Sequence, residues 1–223
     1  MPLVLLLLAL AIAPAVAIGV FVYWKDKFDK EPRLIMFFCF VFGGISILPA
    51  IYLEGIPDMF GFDEDRSSIL NTLLSAFVFT GLLEESCKYF FLRAYAYPRK
   101  AFNEPYDGIT YSVMVSLGFA TVENIHYVMR GGMEIAFVRM FTAVPAHATF
   151  GVIMGYFTGL AKFHHRQKSY LFVGLLSAAA LHGTYDFFVM LQILPGLYFG
   201  AIVSLIIGII LSLQAIKIHG REH

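Results

Sequence analysis

The residues Glu84-Glu85-Ser86-Cys87-Lys88 put two carboxylates and an amine into neighbouring positions of an otherwise apolar stretch. On a helix, successive residues advance by about 100°, so Lys88 lies between the two carboxylates in azimuth. It can pair with Glu84 at i,i+4 or with Glu85 at i,i+3 spacing. Neutralising one carboxylate leaves the other free to act as a base, with burial and a nearby cation available to tune it. Three further apolar stretches carry Glu123 with Asn124, His147, and His182 with Asp186. His182 and Asp186 are four apart, hence on one helix face, where Asp186 can hold the imidazole tautomer. No serine or cysteine is placed as an obvious nucleophile among these groups. Hydrolysis by activated water fits them, with a glutamate as general base and a histidine polarising a carbonyl or protonating a leaving amine.

The same groups could instead bind a metal. Glu84, Glu85, Glu123, His147 and His182 offer ligands that suit zinc, and zinc would activate a bound water. No H-E-x-x-H pattern occurs, although ligands can be assembled from several helices. We favour chemistry without a cofactor, with zinc as the alternative. Each residue also has a simpler explanation. Glu85 with Lys88 could be a structural ion pair, and His147, just after Pro145, could satisfy a carbonyl freed by a kink. Asn124 reads more as glue between helices than as a reactant. The joint occurrence of these groups outweighs the separate explanations.

The elements that must position them are membrane spans. Of the 223 residues, 59% are hydrophobic and 14% charged, well outside the usual composition of soluble domains. Twenty-three Phe and twelve Tyr point the same way, since aromatics serve lipid contact and the interfacial belts. Net charge is zero and no long Lys/Arg run occurs, so nucleic acid is not a partner. Cys39 and Cys87 fall in apolar segments and read as small buried hydrophobes rather than a disulfide. Spanning takes about 20 mostly apolar residues. Such segments run Leu3–Trp24, Leu34–Leu53, Ile69–Ala96, Tyr106–Met129, Ile135–Ala161, Tyr170–Leu194 and Leu197–Ile216. The fold expected is an all-α polytopic transmembrane bundle of about seven spans, forming a single domain over 1–223 without internal repeat. Ala15-Val16-Ala17 resembles a signal-peptide cleavage site, but no basic region precedes it and the apolar stretch continues to Trp24, so the first segment is expected to stay as a span.

Basic residues collect in every second loop: Lys25, Lys27, Lys30 and Arg33, then Arg93, Arg99 and Lys100, then Lys162, Arg166 and Lys168, and finally Lys217 and Arg221. The connection Glu54–Arg66 is acidic, and Leu194–Leu197 has no charge. By the positive-inside rule the N-terminus faces outside and the C-terminus the cytoplasm, which requires an odd number of spans. His164 and His165 belong to a basic loop and read as solvated. An ionisable group at mid-bilayer costs about 2.5–3.5 kcal/mol even on a lenient scale, so so many are tolerated only facing inward, paired and in contact with water. Glu84, Glu85, His147 and His182 fall near the middles of their spans, with Glu123 and Asp186 in the outer halves. One shared site on the extracytoplasmic side of centre is the economical arrangement. Gly151 and Gly155 thin the helix face below His147 for close approach.

Asp26-Lys27-Phe28-Asp29-Lys30-Glu31-Pro32-Arg33 resembles the loop motif that follows the first span in the PrsW family of bacterial intramembrane proteases. Glu84-Glu85-x-x-Lys88 resembles that family's paired-glutamate motif. Phe119-x-x-x-Glu123-Asn124, His147-x-x-x-Gly151 and His182-x-x-x-Asp186 match its remaining motifs in order. The similarity runs from about Tyr23 to Asp186 and leaves the last span unmarked. It implies a water-mediated peptidase of the CAAX protease and bacteriocin-processing group, with Glu84 and Glu85 at its centre, His182 completing the site, and His147, Glu123 and Asp186 nearby. The CAAX branch usually has a histidine where this chain has Glu123, and the added negative charge makes a metal more plausible. The resemblance also implies a membrane-anchored protein substrate, a single-span anti-sigma factor cut first on its extracytoplasmic side, in the cell membrane. A proton- or cation-coupled transporter is the main rival, because Glu, His and Asp across a bundle also make proton relays. Such carriers usually show paired repeats and broken helices in both halves, which this sequence does not. A non-catalytic scaffold would tolerate loss of Glu84 and Glu85.

Overall fold

The fold is described by a computed structural model, over residues 2–26, 29–56, 68–191 and 196–220. Lys27, Arg66 and Arg221, most of the acidic connection after Glu54, and residues 192–195 fall outside these residues. Among the described residues the regular structure is all helical, without a strand. In chain order they form α1 (Pro2–Lys25), α2 (Arg33–Ile45), α3 (Ile47–Glu54), α4 (Ile69–Leu74), α5 (Leu83–Phe91), α6 (Pro105–Phe141), α7 (Ala143–Phe163), α8 (Gln167–Met190) and α9 (Tyr198–His219). Two π-helical segments, Ser75–Leu82 and Leu92–Ala96, flank α5 and join it to α4 in one rod. Among the described residues, five apolar helical stretches are long enough to cross a membrane: Pro2–Lys25, Arg33–Glu54, Pro105–Phe163, Gln167–Met190 and Tyr198–His219. The third of these holds both α6 and α7, and the rod that bears Glu84, Glu85 and Lys88 is not among them.

Helix α6 is the axis of the bundle. Its start is written locally: Pro105 occupies the first turn, where a missing N–H costs nothing, and Glu104 and Asp107 form a reciprocal cap. From Tyr106 to Thr121 every residue except Met114 is buried. It packs against α1, α2 and α7. In lipid no hydrophobic force draws helices together, so close van der Waals contact must do it. Gly118 and Gly43 let α6 and α2 touch backbone to backbone, through the carbonyls of Phe40 and Val115. Gly155 does the same between α7 and Gly108 of α6, so any side chain there would meet main chain. Gly151 packs on Ser116 and Val113, and the thin face expected below His147 is therefore used against α6.

One expected helix is two. Gly132 has φ 70° and ψ −155°, a left-handed conformation that bends the chain inside α6. Thr142, at φ −121° and ψ −73°, then separates the end of α6 from α7. The segment Ile135–Ala161 thus comprises the last residues of α6 and most of α7. Pro145 lies in the first turn of α7, where its missing N–H has no partner to lose. The ring of His147 bonds side chains instead of a freed carbonyl.

The ends of these helices gather at one end of the bundle, and this end is basic. Lys162 donates to the carbonyls of Tyr97 and Arg99 at 2.7 and 3.1 Å, and Gln167 donates to the Tyr97 hydroxyl at 2.6 Å. Lys30 lies over the Tyr23 ring at 4.6 Å. Inside this rim sits an acidic staple, buried at Glu31, Asp107 and Tyr111 and exposed at Asp29 and Asn103. Asn103 donates from its side chain to Asp29 at 2.9 Å, and the backbone N–H groups of Asn103 and Glu104 donate to Asp107 Oδ2 at 2.7 and 2.8 Å. The Tyr111 hydroxyl donates to Glu31, which in turn donates to Asp107. Burial, and then the Asp107 carboxylate beside it, push the Glu31 carboxyl up to about 11.

The protonated Glu31 is therefore the form that the fold holds. An acid whose folded pKa exceeds its unfolded value stabilises fully below the unfolded value and loses that contribution as pH rises toward the folded one. The window runs from the ordinary 4.5 to about 11. We expect the thermal midpoint of the detergent-purified protein to fall from about pH 6 to about pH 10, with Glu31→Gln, which mimics the protonated acid, flattening that slope. Scanning fluorimetry across the range measures both.

Candidate active site

The paired glutamates are set by a tight helix crossing. The π-helical segment Ser75–Leu82 runs against α8, and a Cβ on Gly81 would lie 2.9 Å from the Ala179 carbonyl oxygen. Gly183 receives the Phe77 ring with equal closeness, at 2.7 Å from the position of an added Cβ. Only glycine fits both positions, and the crossing delivers Glu84 and Glu85 to the side chain of His182. π-helical turns recur at functional sites because they re-aim the residues that follow.

Lys88 is the hub. Its side chain is 2% exposed. The ammonium donates to Glu84 Oε2 at 3.1 Å and Glu85 Oε1 at 2.7 Å, and contacts His147 Nδ1 at 3.1 Å. The Phe119 ring lies 4.0 Å away on the remaining side. An ammonium has only donors, so His147 Nδ1 accepts and the ring hydrogen sits on Nε2. That Nε2–H donates to Glu123 Oε2 at 2.9 Å.

His182 occupies the opposite wall. Its Nδ1 is 2.9 Å from Glu85 Oε1 and its Nε2 is 3.1 Å from Asp186 Oδ2. Both ring nitrogens face carboxylate oxygens, an arrangement that is saturated when both carry hydrogen. The ring stacks on Phe150 at 4.6 Å and 19°, and meets His147 edge-on at 5.1 Å. Glu85 Oε1 is thus shared by Lys88 and His182, while its Oε2 is buried with no hydrogen-bond partner among the described residues. Glu84 Oε2 lies 3.9 Å from His182 Nε2. Every residue singled out from the sequence is therefore in one connected cluster: Glu84, Glu85, Lys88, Glu123, Asn124, His147, His182 and Asp186. Asn124 stands at its edge, donating to the Ala11 carbonyl of α1 at 3.1 Å.

Two further members were not picked out from the sequence. Arg139 donates to Glu123 Oε2 at 2.8 Å and to Asn124 Oδ1 at 2.9 Å. A signal for it existed, since a lone arginine inside the apolar stretch Ile135–Ala161 breaks the same rule as the others. Glu54, read as the start of an acidic loop, is the last residue of α3 and comes within hydrogen-bonding reach of Glu84. No local pattern could have shown that contact, which depends on how α3 packs beside α5.

Depth follows from helix rise. Counting 1.5 Å per residue from the basic end, Glu84 lies about 18 Å up its rod, His182 about 22 Å up α8 and Glu123 about 27 Å up α6. Glu84 thus lies near the middle of its rod, and His182 somewhat beyond the middle of α8, away from the basic end. The cluster's exposure grades in the same direction: the side chains of Glu85 and His182 are 0% and 3% exposed, those of Asp186 and Glu123 15% and 18%.

Glu84, Glu85, His147 and His182 present ligand atoms within 4.8 Å of one another, a donor set of the kind zinc takes. Glu123 stands behind His147 and outside that set. The Lys88 ammonium is bonded to three of the four residues and so engages acceptors that a dication would need. As arranged, the residues do not fit a metal unless that ammonium moves out. Breaking a buried ion pair by deleting one partner costs about 3–5 kcal/mol. We expect Lys88→Met to lower thermal stability by that order, and Glu85→Gln in the same chain to restore part of the loss, both read from denaturation midpoints in detergent.

Comparisons with known proteins fit this geometry. Residues 31–213 match the family described as PrsW family intramembrane metalloprotease. The chain is 36% identical to Protease PrsW of Geobacillus kaustophilus over 181 residues, covering 81% of this chain and 78% of the relative. It is 38% identical to Protease PrsW of Bacillus subtilis over 169 residues, 75% of each, and 33% identical to Protease PrsW of Clostridioides difficile over 194 residues, 84% and 78%. No solved structure matches the chain. With a buried carboxylate–histidine cluster inside an apolar helix bundle, and this identity along most of its length, the chain belongs to the PrsW family of intramembrane proteases.

Proposed function

We propose that the protein hydrolyses a peptide bond of a membrane-anchored protein with glutamate-activated water and no metal. The observation that carries this reading is the Lys88 ammonium at the centre of the glutamate–histidine cluster, where it supplies the positive charge that a metal would otherwise bring. Glu84 is the general base. Its side chain is slightly less buried than that of Glu85, and its Oε2 lies 3.9 Å from His182 Nε2, so that both atoms can face one water. Glu85, bonded on one oxygen by Lys88 and His182 and wholly buried, fixes the frame.

Water gives a proton to Glu84 as its oxygen bonds to the scissile carbonyl carbon. The carbonyl π electrons move to oxygen, and the nearby cationic groups stabilise that charge. Collapse reforms the carbonyl and breaks the C–N bond, with the leaving amine taking a proton from His182, and Glu84 later returns its proton to restore the site. Glu85 keeps the Nδ1–H of His182, and the Nε2 proton, released from the longer bond to Asp186 on the more exposed side, is the one that passes to the amine. Hydrolysis inside an apolar bundle suits a membrane-anchored substrate, whose scissile bond reaches the cluster from the side where Glu123, Arg139 and Asp186 keep partial exposure.

The orientation we infer has the N-terminus outside, the C-terminus in the cytoplasm and seven crossings, with the rod 69–96 and both α6 and α7 counted. The basic end of the bundle then faces the cytoplasm and the site lies toward the outside. That depth agrees with a first, extracytoplasmic cut in a single-span anti-sigma factor, the substrate expected from the family resemblance. A fluorescent protein that matures only in the cytoplasm, fused after the last residue, is expected to light up. A dark fusion joined to a stable, full-length product would reverse the orientation.

Purified protein with a single-span anti-sigma-type substrate tests the chemistry. We expect cleavage to persist in a strong chelator and to fall to background in Glu84→Gln and in Glu85→Gln, with His164→Ala unchanged. Loss of cleavage in chelator and its return with zinc would turn the same residues into ligands.

A further inference from the structure

Arg139 has no part in the reaction as written above, yet it is tied into the cluster more specifically than charge balance requires. It lies after the Gly132 bend, in the last turns of α6, and its guanidinium reaches back to consecutive residues of the same helix. Nη2 donates to Glu123 Oε2 at 2.8 Å and Nε donates to Asn124 Oδ1 at 2.9 Å. The guanidinium carbon stands 4.1 Å from the centroid of the Tyr127 ring. Two donors in a fixed plane thus meet two acceptors on neighbouring residues, a geometry that arginine provides and lysine does not. Asn124 is itself held by the Ala11 carbonyl, so the guanidinium docks on an acceptor that cannot drift.

The consequence lies one bond further on. Glu123 Oε2 accepts from Arg139 and from His147 Nε2 at the same time, at 2.8 and 2.9 Å. With its orientation fixed by Arg139, this oxygen calls for a hydrogen on His147 Nε2. Nδ1 is then left as the acceptor that the Lys88 ammonium needs at 3.1 Å. Without Arg139, Glu123 has one fewer donor and is free to turn, and the alternative tautomer would set an N–H of His147 against the ammonium. We infer that Arg139 is a positioning residue for the glutamate pair: through Glu123 it fixes the tautomer of His147, and through His147 the placement of Lys88 between Glu84 and Glu85.

The inference rests on the peptidase reading for its effect on rate, but its structural half can be read independently. Nitrogen-15 spectra of histidine-labelled protein in lipid nanodiscs distinguish the two neutral tautomers and the imidazolium, and the His147 signal is assigned by its disappearance in His147→Gln. Wild type is expected to show His147 with hydrogen on Nε2 alone. Arg139→Ala should lose that single signature, and Arg139→Lys should retain it in part.

In the cleavage assay Arg139→Ala should lower kcat about tenfold or more, as loss of a tautomer-setting partner does, with KM changed less than about threefold. Added guanidinium should restore part of kcat. In a Glu123→Gln background the same change should cost little more, because the path runs through Glu123. An unaltered His147 signature in Arg139→Ala would overturn the inference whatever the activity. So would a loss of rate that adds fully to that of Glu123→Gln, or one matched by a lower thermal midpoint and unmoved by guanidinium. If wild type fails to cleave, the peptidase reading falls, while the spectra still decide for or against Arg139.

Discussion

An ammonium buried inside a lipid-embedded bundle must be surrounded by acceptors, because an uncompensated charge in a medium of low dielectric is too costly to keep. Lys88 is that charge, and the arrangement of the site follows from satisfying it. Glu84 and Glu85 come from its own helix, His147 from α7 and the Phe119 ring from α6. Since the ammonium can only donate, the His147 nitrogen that faces it must be bare, a requirement that Glu123, held by Arg139, meets from the other side of the ring. On the other side the Glu85 oxygen bonded to Lys88 also faces His182, which faces Asp186. Two chains of polar groups therefore meet at one cation, and the hydrogen of each link must agree with those on either side.

Such a network tolerates little movement, and the bundle supplies the rigidity through backbone contact. Glycine pairs bring α2 and α7 against α6, while Gly81 and Gly183 bring the π-helical segment against α8. In lipid these contacts replace the hydrophobic force that would organise a soluble core. At the far end, the Glu31, Tyr111 and Asp107 staple closes the loop after α1 onto the start of α6. The axis that carries Glu123 is thereby anchored at a distance from the chemistry.

The family to which the chain belongs is described in terms of a metal, and the donor set of Glu84, Glu85, His147 and His182 has the chemistry for one. Here the Lys88 ammonium bonds Glu84, Glu85 and His147, three residues that either kind of site would use. A lysine ammonium can organise the same carboxylates and imidazoles, and it leaves the water-activating role to a carboxylate. The contrast between a resident side-chain cation and an exchangeable ion gives the family likeness a physical question that its name does not answer.

The sequence by itself determined the helices, their apolar character and the contacts within each helix. Lys88 bonds Glu84 and Glu85, and His182 bonds Asp186, at the spacing that 100° per residue requires. The cost of ionisable groups in apolar segments marks nearly all of the cluster, and Arg139 obeys the same rule within the stretch Ile135–Ala161. Only the tertiary structure decided that His147 faces Lys88, that His182 faces Glu85, that Arg139 returns to Glu123 across the Gly132 bend, and that Glu54 comes beside Glu84. The physical reason is one of range. Intrahelical spacing is fixed by backbone geometry that any sequence shares, whereas the meeting of helices depends on where small residues allow backbones to touch and where a glycine with positive φ turns the chain.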